Sequence, residues 1–242
     1  KYIKVKKIAI IIPTFNELDN IEKLIKEILK NIPESTIFVV DDSKQNEIGK
    51  LLSSKNLKAN YFHRENVRGR GSAVLYGFTN ALQKNEFDIF IEMDADFSHN
   101  PNELTRNIEY FSENNLDLLI ASRYLEKSKI INWGIRRRIL SKLSNVLARF
   151  LLGVQLKDFT NGFRIYSKRA TEIITKRCGN IGDGFIILSE IVVVLKNNSF
   201  KIDEIETIFV NRTRGESSVN IKLVLASLFG ILKLYFIKNK LN

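Results

Sequence analysis

Apolar residues along this 242-residue chain fall into two patterns: short unbroken runs, and longer stretches spaced at helical intervals. Residues 7–12, 36–40, 58–62, 88–93 and 117–121 are of the first kind and read as buried strands. Between them lie helical stretches. Asp19 and Glu22 give a cap-like start to a helix whose apolar positions are Ile21, Leu24, Ile25, Ile28 and Leu29. A short helix is expected after Asp41-Asp42, another over residues 71–82, and a third after Pro101. Strands alternating with helices predict an α/β fold with a mostly parallel central sheet flanked by helices, its ligands at the carboxyl ends of the strands.

Past Tyr124 the pattern changes. A polar segment with Trp133 and the run Arg136-Arg137-Arg138 leads into a helix carrying Ile139, Leu140, Leu143, Val146, Leu147, Phe150 and Leu151. Its Arg138, Lys142 and Arg149 gather on one face at about 100° per residue. Residues 200–210 read as a further strand. The stretch 221–237 is strongly apolar, yet only 15 residues separate Lys222 from Lys238, short of the roughly 20 a membrane-spanning helix needs. Lys222, Lys233 and Lys240 project at nearly one helical angle, which fits either an amphipathic helix in a membrane interface or one packed on the core. Two units are therefore expected, residues 1–218 and a C-terminal helix over 219–242.

Three strand ends carry the notable polar residues: Thr14, Asn16 and Glu17; Asp41 and Asp42; Asp94 and Asp96. In extended backbone, i and i+2 point to the same side, so Asp94 and Asp96 can hold a hard divalent cation together.

Composition narrows the partners. The chain has a net charge of +11 and a pI near 9.6, which favours an anionic partner such as a phosphorylated substrate, an anionic membrane or nucleic acid. Surface solubility explains the excess as well. One cysteine, Cys178, rules out an internal disulfide and multi-thiolate zinc sites. Only His63 and His99 could serve a serine–histidine–aspartate triad. The apolar run at residues 8–12 is too short for a secretory segment and leads into a turn. A nucleic-acid-binding module would explain the charge but leave four strand-end aspartates without a purpose, so no nucleic acid is expected as partner.

Several ordered blocks resemble the inverting family 2 glycosyltransferases, dolichyl-phosphate mannosyltransferase-like group: Ile12-Pro13-Thr14-Phe15-Asn16-Glu17, Val40-Asp41-Asp42-Ser43, Arg68-Gly69-Arg70-Gly71, Met93-Asp94-Ala95-Asp96, Ala121-Ser122-Arg123-Tyr124, Asp158-Phe159-Thr160-Asn161-Gly162, and Asn211-Arg212 with Gly215-Glu216-Ser217. The resemblance runs from about Ile8 to Ser218. It implies a GT-A fold, which is Rossmann-like, and transfer of a hexose from a nucleotide sugar to a polyprenyl (dolichyl) phosphate. Mannose from GDP-mannose is the leading donor. A UDP-glucose-dependent glucosyltransferase and a catalytically silent nucleotide-sugar-binding subunit are the alternatives.

By the same resemblance, Pro13, Thr14, Asn16, Glu17, Asp41, Asp42 and Arg70 would serve the nucleotide sugar. Asp94 and Asp96 would hold Mg²⁺ or Mn²⁺ against its diphosphate. Arg123, Arg137 and Arg212 would gather the acceptor phosphate, with Trp133 and Ser141 on the segment that reaches it. The enzyme would sit in the cytoplasm, peripheral at the cytosolic membrane face, with a membrane-anchoring partner protein as a further possibility. Each role has a bland counterpart: Arg123 in a structural ion pair, Asp158 paired with Arg164, Glu190 in buried pairing, Trp133 in packing. The chain departs from the family at Ser98, where a mannosyltransferase relative offers a glutamine to the metal, and in one loop. The loop after the second strand reads Asp-Asp-Ser-Lys-Gln-Asn, where the family usually has a glycine after the paired acids.

Overall fold

The structure, a computed structural model, describes residues 6–182, 186–211 and 221–241. The strand β1 (Ile8–Thr14) alternates its side chains between two cores: Ala9 and Ile11 face one, Ile8, Ile10 and Ile12 the other. A strand buried on both faces needs apolar residues at every position, and this run supplies them. The chain continues through α1 (Leu18–Asn31), β2 (Thr36–Asp41), α2 (Glu47–Ser54), β3 (Asn60–His63), α3 (Arg70–Gln83) and β4 (Ile89–Glu92). After a 3₁₀ turn at Pro101–Glu103 come α4 (Leu104–Glu113), β5 (Leu118–Ser122), β6 (Lys129–Ile131) and α5 (Ile135–Leu152). The rest is β7 (Arg164–Ser167), α6 (Lys168–Arg177), α7 (Ile186–Asn197), β8 (Ile202–Glu206), β9 (Ile208–Val210) and α8 (Ile221–Ile237).

Seven strands form the main sheet in the order β3-β2-β1-β4-β7-β5-β8, parallel except for β7, which runs against both neighbours. Helices α1, α2 and α4 cover one face; α3, α6, α7 and α8 cover the other. Gly77 lets α3 lie close on the sheet, since a Cβ there would stand 2.6 Å from Ile11. The α/β arrangement and the mostly parallel sheet are as expected. The single strand expected over residues 200–210 is two strands. It breaks at Thr207, whose hydroxyl donates to Glu103, and β9 then leaves the sheet to pair with β6 in a separate two-stranded ribbon.

Because β2, β1 and β4 are adjacent and parallel, the three polar strand ends lie side by side at one edge. That edge is the candidate site.

Candidate active site

Asp94 and Asp96 follow the end of β4, in a turn where Phe97 takes a left-handed φ of 59°. Asp96 Oδ1 accepts the Ser98 amide at 3.0 Å. The Asp94 amide donates to His99 Nδ1 at 3.0 Å, so that ring nitrogen carries no proton. Nε2 then carries it and donates to Asn161 Oδ1, also at 3.0 Å.

Arg70 spans the acidic pair's base. Its Nε donates to Asp94 Oδ1 at 2.7 Å, Nη1 to Glu92 at 2.9 Å, and Nη2 to the Gly162 carbonyl at 3.1 Å. A Cβ at 162 would come within 2.0 Å of that guanidinium and push it from this position, so glycine there keeps the Arg70 contacts in place. Burial alone would raise the Asp94 carboxyl. The charge and hydrogen bond of Arg70, together with the other positive groups nearby, hold it below the ordinary carboxylate range all the same. The donor set suits a hard divalent cation. Two carboxylates at a sheet edge leave the remaining positions to water and phosphate oxygens, the usual arrangement for Mg²⁺. Among the described residues no group of three acidic, histidine or cysteine side chains forms a closed cage.

A second wall stands across the site. Asp158, fully buried, accepts both Nε and Nη2 of Arg123 at 2.7 and 2.8 Å. Burial pushes its carboxyl up, but Arg123 prevails and holds it low. The expected Asp158–Arg164 pair does not form. Arg164 instead donates to the carbonyls of Asn161, Leu188 and Phe159, which satisfies it deep in the core without a carboxylate. The Arg123 guanidinium lies 5.3 Å from the rings of both Trp133 and Phe209, and Arg137 lies 4.2 Å from Trp133. Arg137 Nη1 also donates to Asn211 at 3.1 Å. Ser141 accepts the Tyr124 hydroxyl at 2.6 Å, which fixes that ring beside Arg123. Arg212 falls outside the described residues. The two walls are joined: Asp94 reaches His99, His99 reaches Asn161, and the Asn161 amide donates to Asp158 at 3.1 Å.

The third part is a cavity of about 340 Å³ beyond the ends of β1 and β2, within the range of about 300–1,000 Å³ typical of small-molecule sites. Phe15, Asn16, Ser43, Lys44, Glu47 and Arg68 are among its walls, with Arg68 stacked 4.4 Å over the Phe15 ring. Asn16, in a left-handed conformation, is the one residue of the expected nucleotide set that lines it. Asp41 is buried and accepts Thr14, Ser43 and Tyr61 hydroxyls. Asp42 is held by Arg64 at 2.7 Å through two bonds and by the Gly69 amide. Glu17 accepts Asn20 at the start of α1, and Pro13 lies within β1. Phe15, Lys44, Glu47 and Arg68 were not singled out from sequence. They come from three separate segments: Phe15 and Arg68 stand inside blocks that carry the resemblance without a role of their own, and Lys44 and Glu47 lie at the loop after β2.

The helix α5 borders the second wall and turns an apolar face outward. Ile135 (75% exposed), Ile139, Leu143, Val146 and Phe150 (83%) form one stripe, flanked by exposed Arg136 on one side and by Arg138, Lys142 and Arg149 on the other. The helix α8 packs beside α5 and adds exposed Phe229, Leu232 and Phe236, while Ile231 and Leu234 face the core. Lys233 is exposed and donates to the Ile181 carbonyl at 3.0 Å, and Lys238 donates to the Leu151 carbonyl at the end of α5; the side chains of Lys222 and Lys240 lie outside those described. Among the described residues no helix is long and apolar enough to cross a membrane.

The profile of glycosyl transferase family 2 matches residues 9–174. Polyprenol monophosphomannose synthase of Mycolicibacterium smegmatis is 33% identical over 219 residues, 89% of this chain and 82% of that relative. Dolichol-phosphate mannosyltransferase of Pyrococcus furiosus is 33% identical over 235 residues, 94% of this chain and 63% of its own length. Among solved structures, glucosyl-3-phosphoglycerate synthase from Mycobacterium tuberculosis, with Mn²⁺, UDP-glucose and phosphoglyceric acid, aligns over 96% of this chain and 79% of that one. Its TM-score is 0.66 at 16% identity, a likeness of fold alone.

Proposed function

The chain belongs to glycosyl transferase family 2, and on that premise we propose that it moves mannose from GDP-mannose to the phosphate of a polyprenol at a membrane surface. Glycosyl transfer follows from the family. The lipid acceptor rests on one observation above all. Arg137, which lies on Trp133 beside Arg123, is carried by the same helix that turns the apolar, base-flanked stripe outward. A helix of this form lies in a membrane interface, so the lipid-contacting face and a phosphate-binding arginine belong to one rigid element. The relatives named for polyprenol and dolichol phosphate mannosylation support the same reading.

Asp94 and Asp96 would hold Mg²⁺ or Mn²⁺, which, when bound, supplies Lewis-acid neutralisation of a departing diphosphate. The chain's own residues do the rest. Arg70 fixes the Asp94 rotamer from below. The cavity beyond β1 and β2 takes the nucleoside, and Arg137 with Arg123 and Arg212 orients the acceptor phosphate by charge-assisted hydrogen bonds. That phosphate is already an anion at neutral pH, so its oxygen attacks the anomeric carbon without a strong general base. The bond from that carbon to the diphosphate breaks as the new one forms, inverting the centre.

The test incubates the protein with a polyprenyl phosphate, Mg²⁺ or Mn²⁺, and separately labelled GDP-mannose and UDP-glucose, and counts label in the lipid phase. Label from GDP-mannose alone is expected. Label from UDP-glucose alone would overturn the mannose assignment, and none from either would overturn the lipid acceptor.

A further inference from the structure

The cavity beyond β1 and β2 has an asymmetry of charge with a chemical consequence. The two acids at the end of β2, Asp41 and Asp42, are engaged by Thr14, Ser43, Tyr61, Arg64 and the Gly69 amide. Glu47, in the first turn of α2, is the single carboxylate among the lining residues. It is exposed, and no hydrogen bond or ion pair from a described residue holds its side chain. Arg68 and Phe15 also line the cavity, the guanidinium carbon 4.4 Å from the centre of the Phe15 ring, and a planar guanidinium offers a stacking surface with N–H donors at its rim.

We propose that Glu47 selects the nucleobase of the donor, accepting the N1–H and exocyclic N2–H of guanine while Arg68 and Phe15 take the purine face. A carboxylate has two parallel acceptors, and guanine presents two adjacent donors to meet them. Uracil presents one N–H between two carbonyl oxygens, which a carboxylate repels. A guanine edge therefore gains two charge-assisted bonds where a uracil edge gains one at best. This deepens the GDP-mannose reading and rests on it. It also gives a place to the loop that departs from the family pattern, since Lys44 belongs to that loop and Glu47 directly follows it at the start of α2.

The test is nucleotide binding by titration calorimetry, with no transfer step, using GDP, IDP (which lacks the N2 amine) and UDP with Mn²⁺. The parent protein should bind GDP about 10-fold or more tighter than IDP, the scale of a hydrogen bond to a charged group. Glu47→Gln should weaken GDP by about 10- to 100-fold, erase the GDP-over-IDP preference, and leave UDP unchanged or tighter. Circular dichroism of the variant should match the parent, because the side chain is exposed. Equal loss of GDP, IDP and UDP in Glu47→Gln, or no loss of GDP, would overturn the role of Glu47 while the donor reading stood. Tighter binding of UDP than GDP by the parent protein would overturn the GDP-mannose reading itself.

Discussion

The outward stripe of α5 can be tested without any substrate. Leu143 is 60% exposed and Phe150 83% exposed, so both withhold most of their burial energy from the folded chain. Full burial of such a side chain contributes about 1.5–3 kcal/mol. Scaled by the exposed fractions, and less the methyl that alanine retains, the two together contribute roughly 2–3 kcal/mol to lipid partitioning. The double variant Leu143→Ala/Phe150→Ala should therefore bind phosphatidylcholine vesicles doped with phosphatidylglycerol about 30- to 150-fold more weakly. Its own folding stability should move by no more than about 0.5 kcal/mol per site, as for exposed positions generally. Vesicle sedimentation reads the first quantity and urea denaturation the second. A binding curve superimposable on the parent's would refute the reasoning. So would a large loss of stability, which would mean the stripe is packing rather than docking surface.

Other outcomes follow from the two walls. Asp158→Ala leaves Arg123 buried without its counter-charge and should cost about 3–5 kcal/mol in urea denaturation. Asp94→Asn and Asp96→Asn should each abolish Mn²⁺ binding by calorimetry while circular dichroism stays native; undiminished binding would displace the metal assignment. Arg137→Ala should raise the KM for polyprenyl phosphate far more than the Kd for GDP, and an equal effect on both would point to the donor side instead. Stability should also fall in acid in a definite window. Asp94 and Asp158 are held low by Arg70 and Arg123, so their contribution is complete above the ordinary carboxylate value. It is lost as pH falls below about 4 through the depressed folded values. Urea midpoints across that range should show a shallower acid limb in Asp158→Asn.

Much of the architecture could be read from periodicity, because β1, β2, β4 and β5 are apolar runs and α1 has a clear buried stripe. The strand β7 could not. It has four residues and opens on Arg164, a charge whose burial is stabilised by carbonyls that no pattern reveals. The ribbon of β6 and β9 is three residues a side, below any periodic signal. The α5 face was visible as apolar spacing, but spacing does not say whether such a face turns to the core or to solvent. At the site, the strand-end acids were legible as residues and not as partners. Asp41 and Asp42 read alike in the sequence, yet both turn inward, and the acid that faces the cavity is Glu47.

The ribbon of β6 and β9 sets a timetable for the newly made chain. Asn132 and Asn211, which it brings into contact, are 79 positions apart. Every residue between must be synthesised before that loop can close, and closure carries an entropy cost that local elements avoid. The strands that frame the cavity beyond β1 and β2 lie near the amino end and can assemble while translation continues. Trp133 and Arg137 acquire the brace of Phe209 and Asn211 only after residue 211 has left the ribosome. On the proposed reading, the donor cavity would therefore form before the arginine beside Trp133 is braced for an acceptor phosphate.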